Sequence, residues 1–251
     1  MAKWPTVSRL AFTYEPVTLF VTFGSATSSF MSATSTEAAP RISQAERSAR
    51  MQRRLAQAAY EVIRDTGYVN FRTAAVARTA GVSQGAQLHH FPPKNSLAEA
   101  AIEYAWSQAT VDSLARIAQF VPSENVIATL MADSQTFFFS DYFRVALDIL
   151  MAGGNDPALR ASLVASTLAH RSRVERLWLE TLIEQGWTLP DAEDVLALSM
   201  SIARGFAVRA LVEPGRERFE RLCARWVTLV AQAGLGPSRA TRRASTTRAQ
   251  K

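Results

Sequence analysis

Apolar side chains recur at helical spacing through most of the chain. Met51, Leu55, Ala59, Val62 and Ile63 form one stripe, with Arg50, Arg53, Arg54 and Arg64 among the residues between them. That spacing predicts a first helix that buries one face and solvates the rest, ended by Gly67. Residues 70–73 then read as a polar entry to a short second helix over 74–80, stopped at Gly81, which can take the positive φ of a tight interhelical turn. Ser83 is placed to cap a third helix, and small side chains at Ala77 and Gly81 let the second and third helices cross closely. Phe91, Pro92 and Pro93 close the unit.

After Leu97 the helical period continues without strand-like alternation or hairpin signals, which predicts an all-α chain: an N-terminal three-helix unit joined to a larger helical domain. A long helix is expected over about 96–120 and another from 124, carrying Val126, Ile127, Leu130, Met131 and Phe137. Residues 141–151 form a further apolar stripe, broken by Gly153, Gly154 and Asn155, after which Asp156 and Pro157 are a cap and first-turn pair. Within 163–185, Val174, Leu177, Trp178, Thr181 and Leu182 share a face, and Gly186 ends the helix. Two helices follow, over about 190–212 and 216–233. In the first, Val195, Leu198, Ile202 and Phe206 line one side and Leu196, Met200, Ala203 and Ala207 the adjacent one. So wide an apolar arc suits a helix facing both its own core and a second copy; the alternative is a central core helix in a monomer.

Composition adds that 251 residues at 48% hydrophobic are ample for a globular core. Charge divides along the chain. Residues 45–97 hold eight basic and three acidic side chains, a net +5, whereas residues 98–235 hold twelve Arg, no Lys and seventeen acids, a net −5. The positive charge therefore sits on the three-helix unit, as phosphate binding requires. Residues 236–251 carry five basic side chains, no acid and little apolar content, and are expected to be a disordered tail. Residues 1–44 show no helical period; the run 17–23 is too short for a membrane span and poorly flanked for a secretory signal, and translation is expected to begin at Met31. Cys223 is the sole cysteine and lies in the stripe Phe219, Leu222, Cys223, Trp226, Val227, Val230, so core packing is its expected role, with redox sensing as the alternative. A single thiol permits no internal disulfide and fits a cytoplasmic protein.

Two helices joined by a Gly-containing turn, on a basic unit, make a helix-turn-helix over residues 45–97, the third helix presenting Gln84, Gly85, Ala86, Gln87 and His89 near its start. The sequence RTAAVARTAGVS, then QGAQLHHF, then Pro92, Lys94 and Leu97 resembles the N-terminal domain of the TetR family of bacterial transcriptional regulators. The resemblance implies a homodimer on double-stranded operator DNA, with contacts from Arg72, Thr73, Ser83, Gln84, Gly85, Ala86, Gln87, His89, His90 and Lys94. It implies further that the last two helices form a four-helix dimer interface, to which Phe206, Leu222 and Trp226 are assigned, and that residues 98–235 bind a small-molecule effector that releases a repressor from its palindromic operator. Where the family has an apolar residue followed by a backbone-contacting Tyr, this chain has Gln87 and Leu88. Leu88 donates no hydrogen bond; His89 and His90 can supply a donor in its place, and Leu88 is otherwise a plug for the small core.

Candidates for the effector cavity are Trp106, Met131, Phe138, Tyr142, Met151 and Trp178, beside Phe137, Phe139 and Phe143, with Gln135, Asn155, Thr167 and His170 for polar selectivity; most such residues are ordinary core in any helical domain. His170 has no second His or acid at i+4, so no metal site is expected, and no cofactor-binding loop is present. Gly81, Val82, Ser83, Gln84 and Gly85 satisfy GxSxG, but a nucleophile elbow needs a strand leading into the serine, and here helix precedes it. The chain is therefore read as a regulator, not an enzyme, and the competing reading is a helical DNA-binding protein without ligand control.

Overall fold

The computed structural model describes residues 43–122, 124–153, 156–213 and 215–236. The N-terminal extension with Met31 and the run 17–23, most of the basic tail, and Gly154 and Asn155 lie outside the described residues. What is described is all-α, with no strand among those residues.

Helix α1, Gln44–Thr66, starts in a capping box: Glu46 N donates to Ser43 Oγ (3.1 Å) and Ser43 N to Glu46 Oε2 (2.7 Å). It ends at Gly67, whose φ of +76° is open only to residues that tolerate the left-handed region. Instead of a plain polar entry, Tyr68–Asn70 form one 3-10 turn before α2, Thr73–Thr79. Gly81, at φ +62°, turns the chain toward α3, Gln84–His90, whose first turn is capped by Ser83 Oγ accepting from Ala86 N (3.1 Å). Ser83 is thus a helix cap between two helices, with nothing of a strand–nucleophile–helix elbow about it. A Cβ on Gly81 would meet only the flexible end of Arg54, at 2.8 Å from Nη2, so it is the backbone conformation that calls for glycine there.

Helices α4, Lys94–Ala118, and α5, Val126–Phe138, are followed by α6, Asp141–Gly153, and by α7, Pro157–Glu184, which Asp156 Oδ1 caps by accepting from Ala158 N and Leu159 N. The chain then forms α8, Leu189–Arg209, and α9, Arg216–Gln232.

Two hydrophobic cores hold these helices. The first joins α1, α2 and the start of α4 to Val145, Ile149, Leu159 and Leu163 of α6 and α7, and fully buried Leu97 lies inside it, so the packing runs on past the motif into the larger helical region. The second packs α5, α7, α8 and α9 around Leu130, Trp178, Leu182, Val195 and Ala203, and Phe137 and Phe143 touch both. Burying a dozen such large side chains at about 1.5–3 kcal/mol each is the main force holding the helices together. Among the described residues, no helix is long and apolar enough to cross a membrane.

Candidate functional site

The short helices α2 and α3 turn outward the residues expected to meet a ligand. Arg72, Ser83, Gln84, Gly85, His89 and Lys94 are exposed, and Thr73, Ala86 and His90 are half-buried on the same short stretch. Arg72 Nη1 donates to the carbonyls of Val69 (3.0 Å) and Phe71 (2.9 Å), so its guanidinium is held at the turn before α2. Lys94, in the first turn of α4, places Nζ 5.0 Å from the Tyr68 ring centroid and 5.6 Å from that of Phe71, a cation–π arrangement that pre-positions an exposed ammonium.

Two neighbouring positions reverse their expected roles. Gln87 does not face outward: it is fully buried, and Nε2 donates to Phe91 O (2.8 Å) while Oε1 has no partner. In a seven-residue helix one side chain must plug the interior, and Gln87 occupies that face, one turn before the carbonyl it binds. Leu88 is the converse, 45% exposed beside His89, and so is not the core plug.

The second site is a partly open cavity of about 280 Å³ lined by α4, α5, α6, α7 and α8. Its wall is apolar and aromatic, with Trp106, Phe137, Phe138 and Phe143 at the centre. The polar groups of the wall are mostly committed elsewhere. Trp106 Nε1 donates to Thr167 Oγ1 (3.1 Å), which donates to Leu163 O (2.7 Å), and His170 joins Thr110 Oγ1 (3.2 Å at Nδ1) to Glu103 Oε1 (2.7 Å at Nε2). Buried Asp133 accepts from Ser113 Oγ (2.5 Å), Arg116 Nε (2.6 Å) and Trp178 Nε1 (2.9 Å). Arg204 differs. Its guanidinium stands 5.1 Å from the Phe138 ring centroid with no hydrogen-bond acceptor among the described residues. Burial, then the charge of Arg171, pushes it below the usual guanidinium value against the pull of Glu175.

Of the expected cavity residues, Trp106, Phe138 and His170 are brought together in this wall, as are Phe137, Phe143 and Thr167. The others are elsewhere. Met131 and Trp178 are solid parts of the second core, and Trp178 reaches the cavity only through Asp133. Tyr142 turns to the first core, its ring 5.5 Å from that of Tyr60; Met151 is 75% exposed at the end of α6; Gln135 lies on a half-buried face of α5 outside the wall. A helical period places a residue inward or outward but not beside a void, so these candidates were drawn by side-chain type alone. The same limit hid Asp133, Ser134 and Arg204: each is a lone polar residue in an apolar stripe, the one signal that would have marked it.

Residues 55–101 match the family described as "Bacterial regulatory proteins, tetR family". The HTH-type transcriptional regulator CymR of Pseudomonas putida is 43% identical over 182 residues, covering 72% of this chain and 90% of that protein. The chain belongs to the TetR family. A transcriptional regulator from Rhodococcus sp. Rha1 shares the fold, with a TM-score of 0.56 at 24% identity over 72% of this chain and 96% of its own. So does a putative transcriptional regulator from Saccharomonospora viridis crystallised with choline, at TM-score 0.57 and 16% identity over 73% and 96%. As a TetR-family chain this is a DNA-binding transcriptional regulator, and the family is not one of enzymes.

In this TetR-family chain α6 touches both sites. Phe143, Ala146, Leu147 and Leu150 of α6 line the cavity, while Asp148 Oδ2 accepts from Tyr68 N (2.7 Å) and Arg144 Nη2 donates to Arg64 O (3.3 Å), gripping the end of α1. Asn95 Nδ2 also donates to Asp156 Oδ2 (2.5 Å), tying the start of α4 to the cap of α7.

Of the three residues expected at a dimer interface, Phe206 and Trp226 are half-buried against the second core and only Leu222 is exposed. Phe206 stacks on Phe219 with ring centroids 5.2 Å apart, Trp226 Nε1 donates to Ser199 Oγ (2.9 Å), and Leu222 is exposed, as are Leu198, Leu211 and Leu229. Cys223 is buried, and burial pushes its thiol up to about 11, which rules against a thiolate sensor.

Proposed function

We propose that the chain is a cytoplasmic, homodimeric repressor released from a palindromic operator by a small molecule bound in the five-helix cavity. The observation that carries this reading is the double duty of α6, which forms part of the cavity wall with one face and holds the head through Asp148 and Arg144 with another. A molecule that fills the cavity favours one position of α6, and the head must follow because Tyr68 and Arg64 are tied to it. Such an effector acts only by the difference in its affinity for the two arrangements. Two α3 helices would lie in successive major grooves about 34–36 Å apart. The exposed Leu198, Leu211, Leu222 and Leu229 supply the apolar face through which α8 and α9 pair between copies.

Within the head the roles divide. Gln84, exposed in the first turn of α3, reads a base; Lys94, at the foot of α4, meets a phosphate. Gln84→Ala is expected to cost about 1–3 kcal/mol at one operator position and relax selectivity there, whereas Lys94→Ala weakens specific and non-specific binding alike and flattens the salt dependence. A randomised-site selection and a salt series measure the two. Ligand control is tested with Asp148→Ala, which should leave operator affinity in the ligand-free protein nearly intact while reducing the effector-induced drop, expected at roughly 5–150-fold. Unchanged release in that variant would remove α6 as the coupling element, and a protein whose operator affinity no cavity-bound molecule alters would be a DNA-binding protein without ligand control.

A further inference from the structure

Among the described residues, Leu88 is the one large apolar side chain on the face that α3 turns outward. Along this helix Gln84, Gly85, Leu88 and His89 are exposed, at the i, i+1, i+4 and i+5 spacing of a single helical face, while Gln87 points inward as the plug. With about 100° of rotation per residue, Leu88 falls between Gln84 and Gly85, near the middle of that face. Gly85 carries no side chain, and a Cβ there would find Ser83 Oγ at 4.0 Å and nothing nearer, so the surface beside Leu88 is open. A partner can therefore come close to α3 and reach both methyl groups of Leu88. The side chain takes no part in either hydrophobic core. Single exposed leucines are ordinary on a protein surface. What sets this one apart is its place between hydrogen-bonding Gln84 and His89 on the outward face of the head.

We propose that Leu88 reads a thymine, its two methyl groups packed on the C5-methyl of that base in the major groove. The inference deepens the reading of α3 as the base-reading helix and rests on it. Of the groups that base pairs present in the major groove, the thymine methyl is the apolar one, and the rest are hydrogen-bond donors and acceptors. Leu88 offers no hydrogen bond, so a polar edge pressed against it would lose water and gain no partner. A methyl gives up only water that the apolar surface holds poorly. The same reasoning sets Leu88 against a phosphate, because a hydrocarbon there would strip an anion of water without answering its charge. The contact therefore selects twice, by burying apolar area against thymine and by penalising the other bases. One turn of helix spans about 5.4 Å and one base step about 3.4 Å, so the thymine lies within about two base pairs of the position read by Gln84.

The test uses the full chain and the operator that it selects from a randomised duplex pool, with binding followed by fluorescence anisotropy. Each thymine of that operator is replaced singly by deoxyuridine, which removes the methyl and keeps the base pairing. At one position the replacement is expected to weaken binding roughly 4-fold, the worth of one buried methyl. In Leu88→Ala that replacement should make no difference, and Leu88→Met should recover much of the preference. Comparing thymine with uridine within each variant cancels any general effect of the base change on the duplex. Leu88 is exposed, so Leu88→Ala is expected to fold, and an unchanged affinity for non-specific duplex shows that its head is intact. Three results would each overturn the assignment: no methyl dependence at any thymine, methyl dependence that survives Leu88→Ala, or an equal loss on specific and non-specific DNA in Leu88→Ala. The last would return Leu88 to the sugar–phosphate backbone. A pool that yields no preferred sequence would overturn base reading by α3 altogether, whereas a methyl-independent operator that still answers to Gln84→Ala would overturn Leu88 alone.

Discussion

The head and the cavity solve opposite problems with polar side chains. In the head the chemistry faces out: Gln84, His89 and Lys94 are exposed, they come from one short stretch of chain, and the interior behind them is closed by a plug, Gln87. In the cavity the chemistry faces in. Its wall draws on five helices from Ile102 to Val208, and its polar groups form a network around buried Asp133 and half-buried His170 and Thr167, with half-buried Arg204 left over. A DNA surface supplies its own water and counterions, so a reading head can leave side chains unpaired at no great cost. An apolar wall offers few partners, so a buried group left unpaired there, such as the Ser134 hydroxyl, is costly. Substitutions should therefore cost stability in the inward network and, on the proposed reading, operator specificity in the outward stretch.

The largest effect is expected at the centre of that network. Asp133→Ala removes the acceptor of Ser113, Arg116 and Trp178 together; Arg116 can turn to solvent, but the buried Ser113 and Trp178 donors are left unmatched at about 1–3 kcal/mol each. Urea denaturation measures it, and a loss below about 1 kcal/mol would mean that the network is no more than surface-like. Gly81→Ala tests the head in the same terms. Its φ of +62° predicts about 1–3 kcal/mol, felt first as faster amide exchange in α2 and α3 while α8 stays protected. Exchange rising equally everywhere would show the two regions unfolding as one.

A smaller loss, about 1–2 kcal/mol, is expected for Asp148→Ala, which strips the acceptor from Tyr68 N at the junction between the regions. The least change belongs to Gln87→Leu. It removes a buried carbonyl oxygen that has no partner, and by the exchange of a polar for an apolar plug it should shift stability by no more than about 1 kcal/mol in either direction while leaving operator preference as it was. A changed base preference in that variant would return Gln87 to the DNA surface.

Legibility followed the same division. Gly67, Gly81, Ser83 and Asp156 each act through their own few residues of backbone, and the caps and turns they mark stand where the pattern places them, to within a residue or two. The outward residues of α2 and α3 were readable because they form one contiguous motif. Gln87 was misread because the motif assigns positions along α3 without saying which of them a seven-residue helix must turn inward. Met131 and Trp178 were misread for a related reason. They have the same character as Phe138 and sit on equally buried faces, but their neighbours fill the space around them.

By itself, then, the sequence determined the all-α class, the helix limits, the helix-turn-helix and the division of charge between the head and the rest, because these depend on local backbone preference and on composition. Which apolar faces meet solidly and which stand apart around a void, that α6 links the void to the head, and that Arg204, unlike Arg171, has no acceptor among the described residues were decided by the tertiary structure. Those facts depend on summed side-chain volumes and partners contributed by helices far apart in the chain, which no periodicity within a single helix encodes.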